Sequence, residues 1–307
     1  MLSAFAPGAQ PLTDRPRSAF RALLRTPSGV TGVVLVVFFV LLALTAPLLV
    51  ALSGQDPLSY HLDTLDPSGV PLGFGGGISS THWFGVEPLT GRDLFAIVVV
   101  GAQTSLFVGI SAALLALTLG TVMGLSAGYF GGWWDTVVTR LIDVLLGFPS
   151  LIFMITLGAI VPVETDKTLL LIGIIGFFGW SGVARVVRAE SMTLRQRTFV
   201  QASAAMGGNP LHIIGSQILP NLWPTIIVFG TLSIPAMIGA EAALSFLGVG
   251  VPPPTPAWGR SIGSAVAWVQ TDPWFLLFPG LALFLVTLGF NLFGDALRDA
   301  IDPKGAR

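Results

Sequence analysis

Six apolar runs separated by short polar stretches occupy most of this chain, at 30–52, 95–128, 133–161, 168–187, 222–247 and 274–293. A helix of about 20 apolar residues crosses a bilayer. Lipid offers no partner to backbone N–H and C=O groups, so a spanning segment closes its hydrogen bonds within itself as a helix, or with neighbours as a closed barrel. Runs of this length select the helix. Charged residues make up 10% of the chain and hydrophobic ones 53%, against about 25% charged in a soluble domain. The expected fold is an all-α polytopic membrane protein with six transmembrane helices.

The runs differ in detail. Residues 1–29 are polar, and Arg17, Arg21 and Arg25 fall opposite Phe20, Leu23 and Leu24, a pattern that suits a short helix in the inner headgroup layer. The first run exceeds the 7–15 apolar residues of a secretory signal, so residues 1–52 are expected to hold a cytoplasmic segment and an uncleaved first span. The second run carries Gly120, Gly124 and Gly128, a small-xxx-small ladder that lets another helix approach. The fifth is expected to kink near Pro235. Residues 53–95, rich in Pro and Gly, are expected as an irregular extracytoplasmic loop, and residues 249–273 as a Pro-rich loop on the same side. His61 and His82 lie in the first of these without a ligand spacing, and no metal is expected. The net charge of -1, with no basic patch, gives no sign of nucleic acid, and the absence of Cys removes disulfides and thiolate chemistry.

Orientation follows from the positive-inside rule. With the N-terminus inside, Arg15, Arg17, Arg21, Arg25, Arg140, Arg185, Arg188, Arg195, Arg197, Arg298, Lys304 and Arg307 lie on the inner side, 12 of 15 basic residues. Arg92, Lys167 and Arg260 lie outside. Six spans then put both termini and residues 190–221 in the cytoplasm.

Chemistry-bearing patterns are sparse. A P-loop needs Gly-Lys before Ser or Thr, but the two lysines follow Asp166 and Pro303, so ATP is not expected to bind this chain. Gly124-Leu-Ser126-Ala-Gly128 has the spacing of a nucleophile elbow yet lies inside a span, whereas the elbow needs a strand-to-helix turn. No catalytic cluster is found, and no enzyme activity is expected. Glu241 is the acid most clearly inside a span, where charge is costly. It is read as a pathway residue or as an anchor paired with Arg92 or Arg260. Arg140 and Asp143, three apart, are read as pairing locally or orienting the inner end of the third span. Asp295, Arg298 and Asp299 read as a solvated helix end.

One stretch is neither membrane-like nor a simple polar loop: residues 200–220. Small residues at Ala202, Ser203, Ala204 and Ala205 make a helix that another surface can approach closely. Gly207-Gly208 permits a sharp turn. Asn209-Pro210 reads as an N-cap and first-turn proline, opening a second helix that hands over at Pro220.

This stretch resembles the cytoplasmic EAA loop of permease subunits in binding-protein-dependent ABC importers. Ala202, Gly207, Leu219 and Pro220 fall at matching places, while Gln201 stands for the glutamate, Ser203 for the second alanine and Gln217 for an apolar or His position. Phe84-Gly85, Gly91-Arg92-Asp93-Leu94-Phe95, Asp143 with Phe148-Pro149-Ser150, the 244–250 segment and the 291–299 segment are similar to the oligopeptide/dipeptide branch, in the family's order. The resemblance implies a type I permease core over 96–303 in a bacterial cytoplasmic membrane. It also implies a second permease, two ATPases carrying ATP and Mg, and an extracytoplasmic substrate-binding protein. Its coupling residues would be Gln201, Ala202, Ser203, Ala205, Gly207, Asn209, Leu211, Leu219 and Pro220. The substrate implied is a di- or oligopeptide; a nickel or other small-solute permease of the same class, or a secondary transporter without an ATPase, are the alternatives.

Overall fold

A computed structural model describes residues 23–161 and 166–301. The expected headgroup helix lies largely outside the described residues, as do Lys304 and Arg307. The described part is helical: α1 (Pro27–Leu44), α2 (Ala46–Ser53), α3 (Leu94–Phe130), α4 (Gly132–Gly147), α5 (Ser150–Ile160), α6 (Lys167–Arg195), α7 (Thr198–Ala205), α8 (Pro210–Ile213), α9 (Leu219–Phe246), α10 (Trp258–Ala265) and α11 (Pro273–Ile301). Among the described residues five helices, taking α8 to α9 as one, are long and apolar enough to cross a membrane, and a sixth span results if α4 and α5 are counted together.

Helix starts follow the side chains that satisfy their free N–H groups. Thr26 Oγ1 accepts from Gly29 N ahead of α1, with Pro27 in the first turn. Asp93 Oδ1 accepts from Ala96 N at 2.7 Å ahead of α3, and Asp166 Oδ1 accepts from Thr168 N at 2.9 Å ahead of α6.

Two spans are not the single helices expected. The first breaks at Thr45, because Pro47 cannot donate back to the preceding turn. The third is corrected more strongly: α4 and α5 meet at an angle of 84°. Phe148 is extended, with ψ 141°, as the residue before a proline prefers, and Pro149 lacks the N–H that would carry the helix on. The Pro-rich loop expected at 249–273 contains α10.

The most extensive packing joins α3 to α6, along the glycine ladder. A Cβ at Gly124 would lie 2.5 Å from the Ala184 carbonyl oxygen and one at Gly128 2.6 Å from that of Arg188. Only hydrogen fits there, so the backbones approach as closely as the small-residue spacing foretold. At the other end of α3, Trp258 of α10 is fully buried, and its Nε1 donates to Val98 O at 2.9 Å. That bond pins α10 between α3, α9 and α11. Within residues 54–93, His82 Nδ1 lies 2.8 Å from Asp93 Oδ2, and the rings of His61 and His82 are 5.1 Å apart.

Candidate functional site

Two long helices, α6 and α9, are joined by residues 196–218, and this junction is compact. Helix α7 ends in a paired closure: Gly208 N donates to Ser203 O at 3.0 Å and Gly207 N to Ala204 O at 3.0 Å. This Schellman arrangement needs a left-handed residue just past the helix. Gly207 supplies it, with φ +83°. Asn209 then caps α8, its Oδ1 accepting from Leu211 N at 3.0 Å, and Pro210 takes the first turn. The expected handover at Pro220 takes another form. Residues Ile214–Ile218 form a π turn and α9 begins at Leu219. A proline gives no N–H to the carbonyl one turn back, and the wider turn keeps the helix running through that gap.

The loop has two faces. Val200, Ser203, Ile213 and Ile218 are buried, and Val200, Ile213 and Ile218 pack with Leu125 of α3, Val183 and Val187 of α6, and Leu222 of α9. Gln201, Ala202, Ala205, Gly207, Asn209, Leu211 and Pro220 are exposed, and Leu219 is half-buried. At the tip, Met206 and Leu211 are 82% and 74% exposed. They put two exposed apolar side chains at the two ends of an ordered turn. Met206 was missed by the sequence reading; its place immediately before Gly207-Gly208, where a helix ends and its last side chain faces outward, is the signal that could have found it. Beside the loop lies a hollow of about 470 Å³ bordered by Tyr129, Asp135, Arg195, Gln201 and Ala204, with the Arg195 guanidinium 5.9 Å from the Tyr129 ring centre.

Two ion pairs join α4 to α6. Arg140 and Asp143 do not pair with each other. Asp143 Oδ1 accepts from Arg185 Nη2 of α6 at 3.3 Å, and Arg140 is exposed, with no ion pair among the described residues. One turn further along α6, Arg188 binds Asp135 through both Nε and Nη2, the latter at 2.6 Å from Oδ2.

Glu241 is fully buried. Its Oε1 accepts from Ser245 Oγ at 2.7 Å, and Ser245 Oγ accepts from Val251 N at 3.2 Å. Neither expected arginine forms an ion pair with it. Arg92 Nε is held by Glu87 Oε2 at 2.7 Å. Arg260 Nη1 donates to Thr255 O at 3.2 Å. Glu241 Oε2, Ser105 Oγ and Arg260 Nη2 are buried without a hydrogen-bond partner. Asp295, Arg298 and Asp299 are exposed at the end of α11.

Comparison with known proteins bears on this arrangement. The profile of the family described as binding-protein-dependent transport system inner membrane component matches residues 120–306. The dipeptide transport system permease protein DppC of Alkalihalophilus pseudofirmus is 39% identical over 290 residues, covering 94% of this chain and 90% of that protein. The glutathione transport system permease protein GsiD of Escherichia coli is 37% identical over 285 residues, covering 93% and 89%. With the match running through the 196–218 junction and both long helices that flank it, this chain belongs to the binding-protein-dependent transport system inner membrane component family, the permease subunits of ABC importers.

Proposed function

We propose that this subunit carries di- or oligopeptides across a bacterial cytoplasmic membrane by alternating access, with both termini inside and the 190–221 segment docked on an ATPase. The observation that carries the coupling role is the exposed Met206–Leu211 tip on a closed turn whose other face is buried in the inner ends of α3, α6 and α9. An ATPase groove would cover that tip. Closure of two ATPases on ATP and Mg would move α6 and α9 together and swap the opening between this permease and a second, similar one. A substrate-binding protein would release its peptide onto the outer loops. The peptide reading is supported by the printed roles of DppC and GsiD. Membership of the importer family weighs against an ATPase-independent transporter.

The test is reconstitution. The permease is co-purified with its partner permease and ATPases, placed in liposomes and offered a binding protein loaded with radiolabelled dipeptide. Uptake that needs ATP and binding protein is expected. Uptake without ATP, or of solutes other than peptides alone, would sink the reading.

A further inference from the structure

Residues 72–86 lie across the start of α11. Phe84 stacks on Phe278, with ring centres 4.3 Å apart and planes at 6°, and Phe74 lies 5.9 Å from Trp274. Between these contacts the chain makes a left-handed turn. Gly75, Gly76 and Gly77 all have positive φ, and Ile78 N donates to Phe74 O at 3.1 Å. Glycine takes such a run without steric cost. Val86 N closes the segment on Gly76 O at 2.8 Å.

Asp272 lies against that turn. It is 3% exposed, and a Cβ on Gly76 would lie 2.8 Å from its Oδ1 and 2.9 Å from its Oδ2. Both carboxyl oxygens are buried without a hydrogen-bond partner. The charged groups on the surrounding elements are engaged elsewhere. His82, the one titratable side chain of residues 72–86, is held by Asp93 at 2.8 Å. Just beyond, Glu87 is held by Arg92. Arg260 of α10 donates to Thr255 O, and α11 carries no charge before Asp295. Asp272 forms no ion pair among the described residues. A buried carboxylate with neither counter-charge nor hydrogen bond is costly, and the uncharged acid is much less so.

We propose that residues 72–86 form an acid-seated flap, which closes over the start of α11 while Asp272 is uncharged and lifts when it ionises. The aromatic contacts to Trp274 and Phe278 favour seating at every pH, and the ionised carboxylate works against them. Lifting returns the carboxyl to water and to its ordinary value. Under the seated flap burial raises that value, against the N–H groups of Trp274 and Phe275. The seated form therefore holds the proton more tightly. Its advantage is complete below the ordinary Asp value, about 3.9, and is lost as pH rises through the raised one. The flap does not depend on what the subunit transports.

The test uses the assembled importer in nanodiscs. Leu72→Cys, at an exposed position, is labelled with bimane, whose emission a nearby tryptophan quenches. The complex without this cysteine serves as the labelling blank. Trp274→Phe identifies the share of quenching due to Trp274 and keeps a ring beside Phe74. That share should at least double as pH falls from alkaline toward the ordinary Asp value. Asp272→Asn cannot ionise, and it should stay quenched to the acid level at every pH. Quenching that ignores pH in the parent overturns the flap. So does an unchanged pH response in Asp272→Asn, which would assign the response to His82. Should Asp272→Asn fail to assemble, Asp272→Ser, also uncharged and a good helix cap, takes its place under the same two outcomes.

Discussion

Replacing Gly207 by Val isolates the turn's backbone from its packing. Gly207 has φ +83°, and a Cβ there would meet nothing within 4 Å. The whole penalty is therefore conformational. A β-branched residue is an outlier in the left-handed region, and such strain costs on the order of 1–3 kcal/mol. If the docked loop requires the closed turn and the free loop can relax it, ATPase affinity falls by that amount, roughly 5- to 150-fold. Asn tolerates left-handed φ, so Gly207→Asn should stay near wild type, with Gly207→Ala between the two. Gly208 differs, because its Cβ would lie 2.8 Å from Ser203 O, so that any side chain there collides with the turn. The assay is ATPase binding to the solubilised permease pair, with stimulation of ATP hydrolysis by loaded binding protein as the functional readout. Val and Asn variants that lose binding equally would refute the conformational argument. A Val variant that binds and couples normally would refute the role of the loop.

Other consequences follow from the same structure. Gly124→Ala forces a Cβ to 2.5 Å from the Ala184 carbonyl and should destabilise by about 1–3 kcal/mol of overpacking, less the roughly 1 kcal/mol that Ala gains over Gly in a helix; Gly239→Ala, with no neighbour within 4 Å, should show only the gain, and equal melting temperatures would contradict the ladder. Glu241→Gln keeps an acceptor for Ser245 but replaces the unpartnered Oε2 by an amide N–H₂, and it should lower the yield of assembled complex while sparing transport per complex; normal yield with no transport would make Glu241 a pathway residue. Burial holds the Asp272 carboxyl above its ordinary value, against the opposing N–H groups of Trp274 and Phe275, and neither oxygen meets hydrogen-bond geometry. The folded state therefore binds this proton more readily, and stability gained from it rises as pH falls through the raised value. Asp272→Asn should melt at or above wild type at neutral pH, with the gap closing on acidification; a widening gap would reverse the sign. Cysteines placed at Ser68 and Met206 of this Cys-free chain, both exposed, should label from opposite sides; Ser203 is too buried to report.

What could be read from sequence was local. The glycine ladder, the Asn209-Pro210 start and the Gly207 turn each depend on residues within about one or two helical turns, and each stands where spacing put it. The errors arose where a proline met an apolar run. Hydropathy sees 133–161 as continuous, yet Phe148-Pro149 turns the chain by 84°, and Pro47 breaks the first run. Pro220, by contrast, was read as the handover to the next run, and the handover lies just before it, where the π turn Ile214–Ile218 leads into α9. Hydropathy measures what a segment dissolves in, and a backbone break leaves that unchanged. Side-chain partners were the least legible. Asp143 and Arg185 are 42 residues apart, and their contact depends on how α4 leans on α6. No spacing rule contains that angle.

The placement of the loop bears on how it would work. A tip that only decorated two helices would swing when pushed, and the push would dissipate in the turn. Here Val200, Ile213 and Ile218 lie within one buried cluster with Leu125, Val187 and Leu222, so α7 and α8 cannot move without α3, α6 and α9. The ladder joins α3 to α6 by backbone contact, and packed backbone transmits displacement because it has little free volume to absorb it. The bend at Phe148-Pro149 is then the compliant point. Helix α4 is tied to α6 by Asp135–Arg188, while α5 packs on the N-terminal half of α6 through Phe153 and Phe178. A displacement arriving at the loop would reach α6 and α4 as one body and leave α5 to follow by changing the angle at the proline. The parting of surfaces would then fall between α5 and α6, at the far end of the path that begins at Met206, and not between α4 and α6.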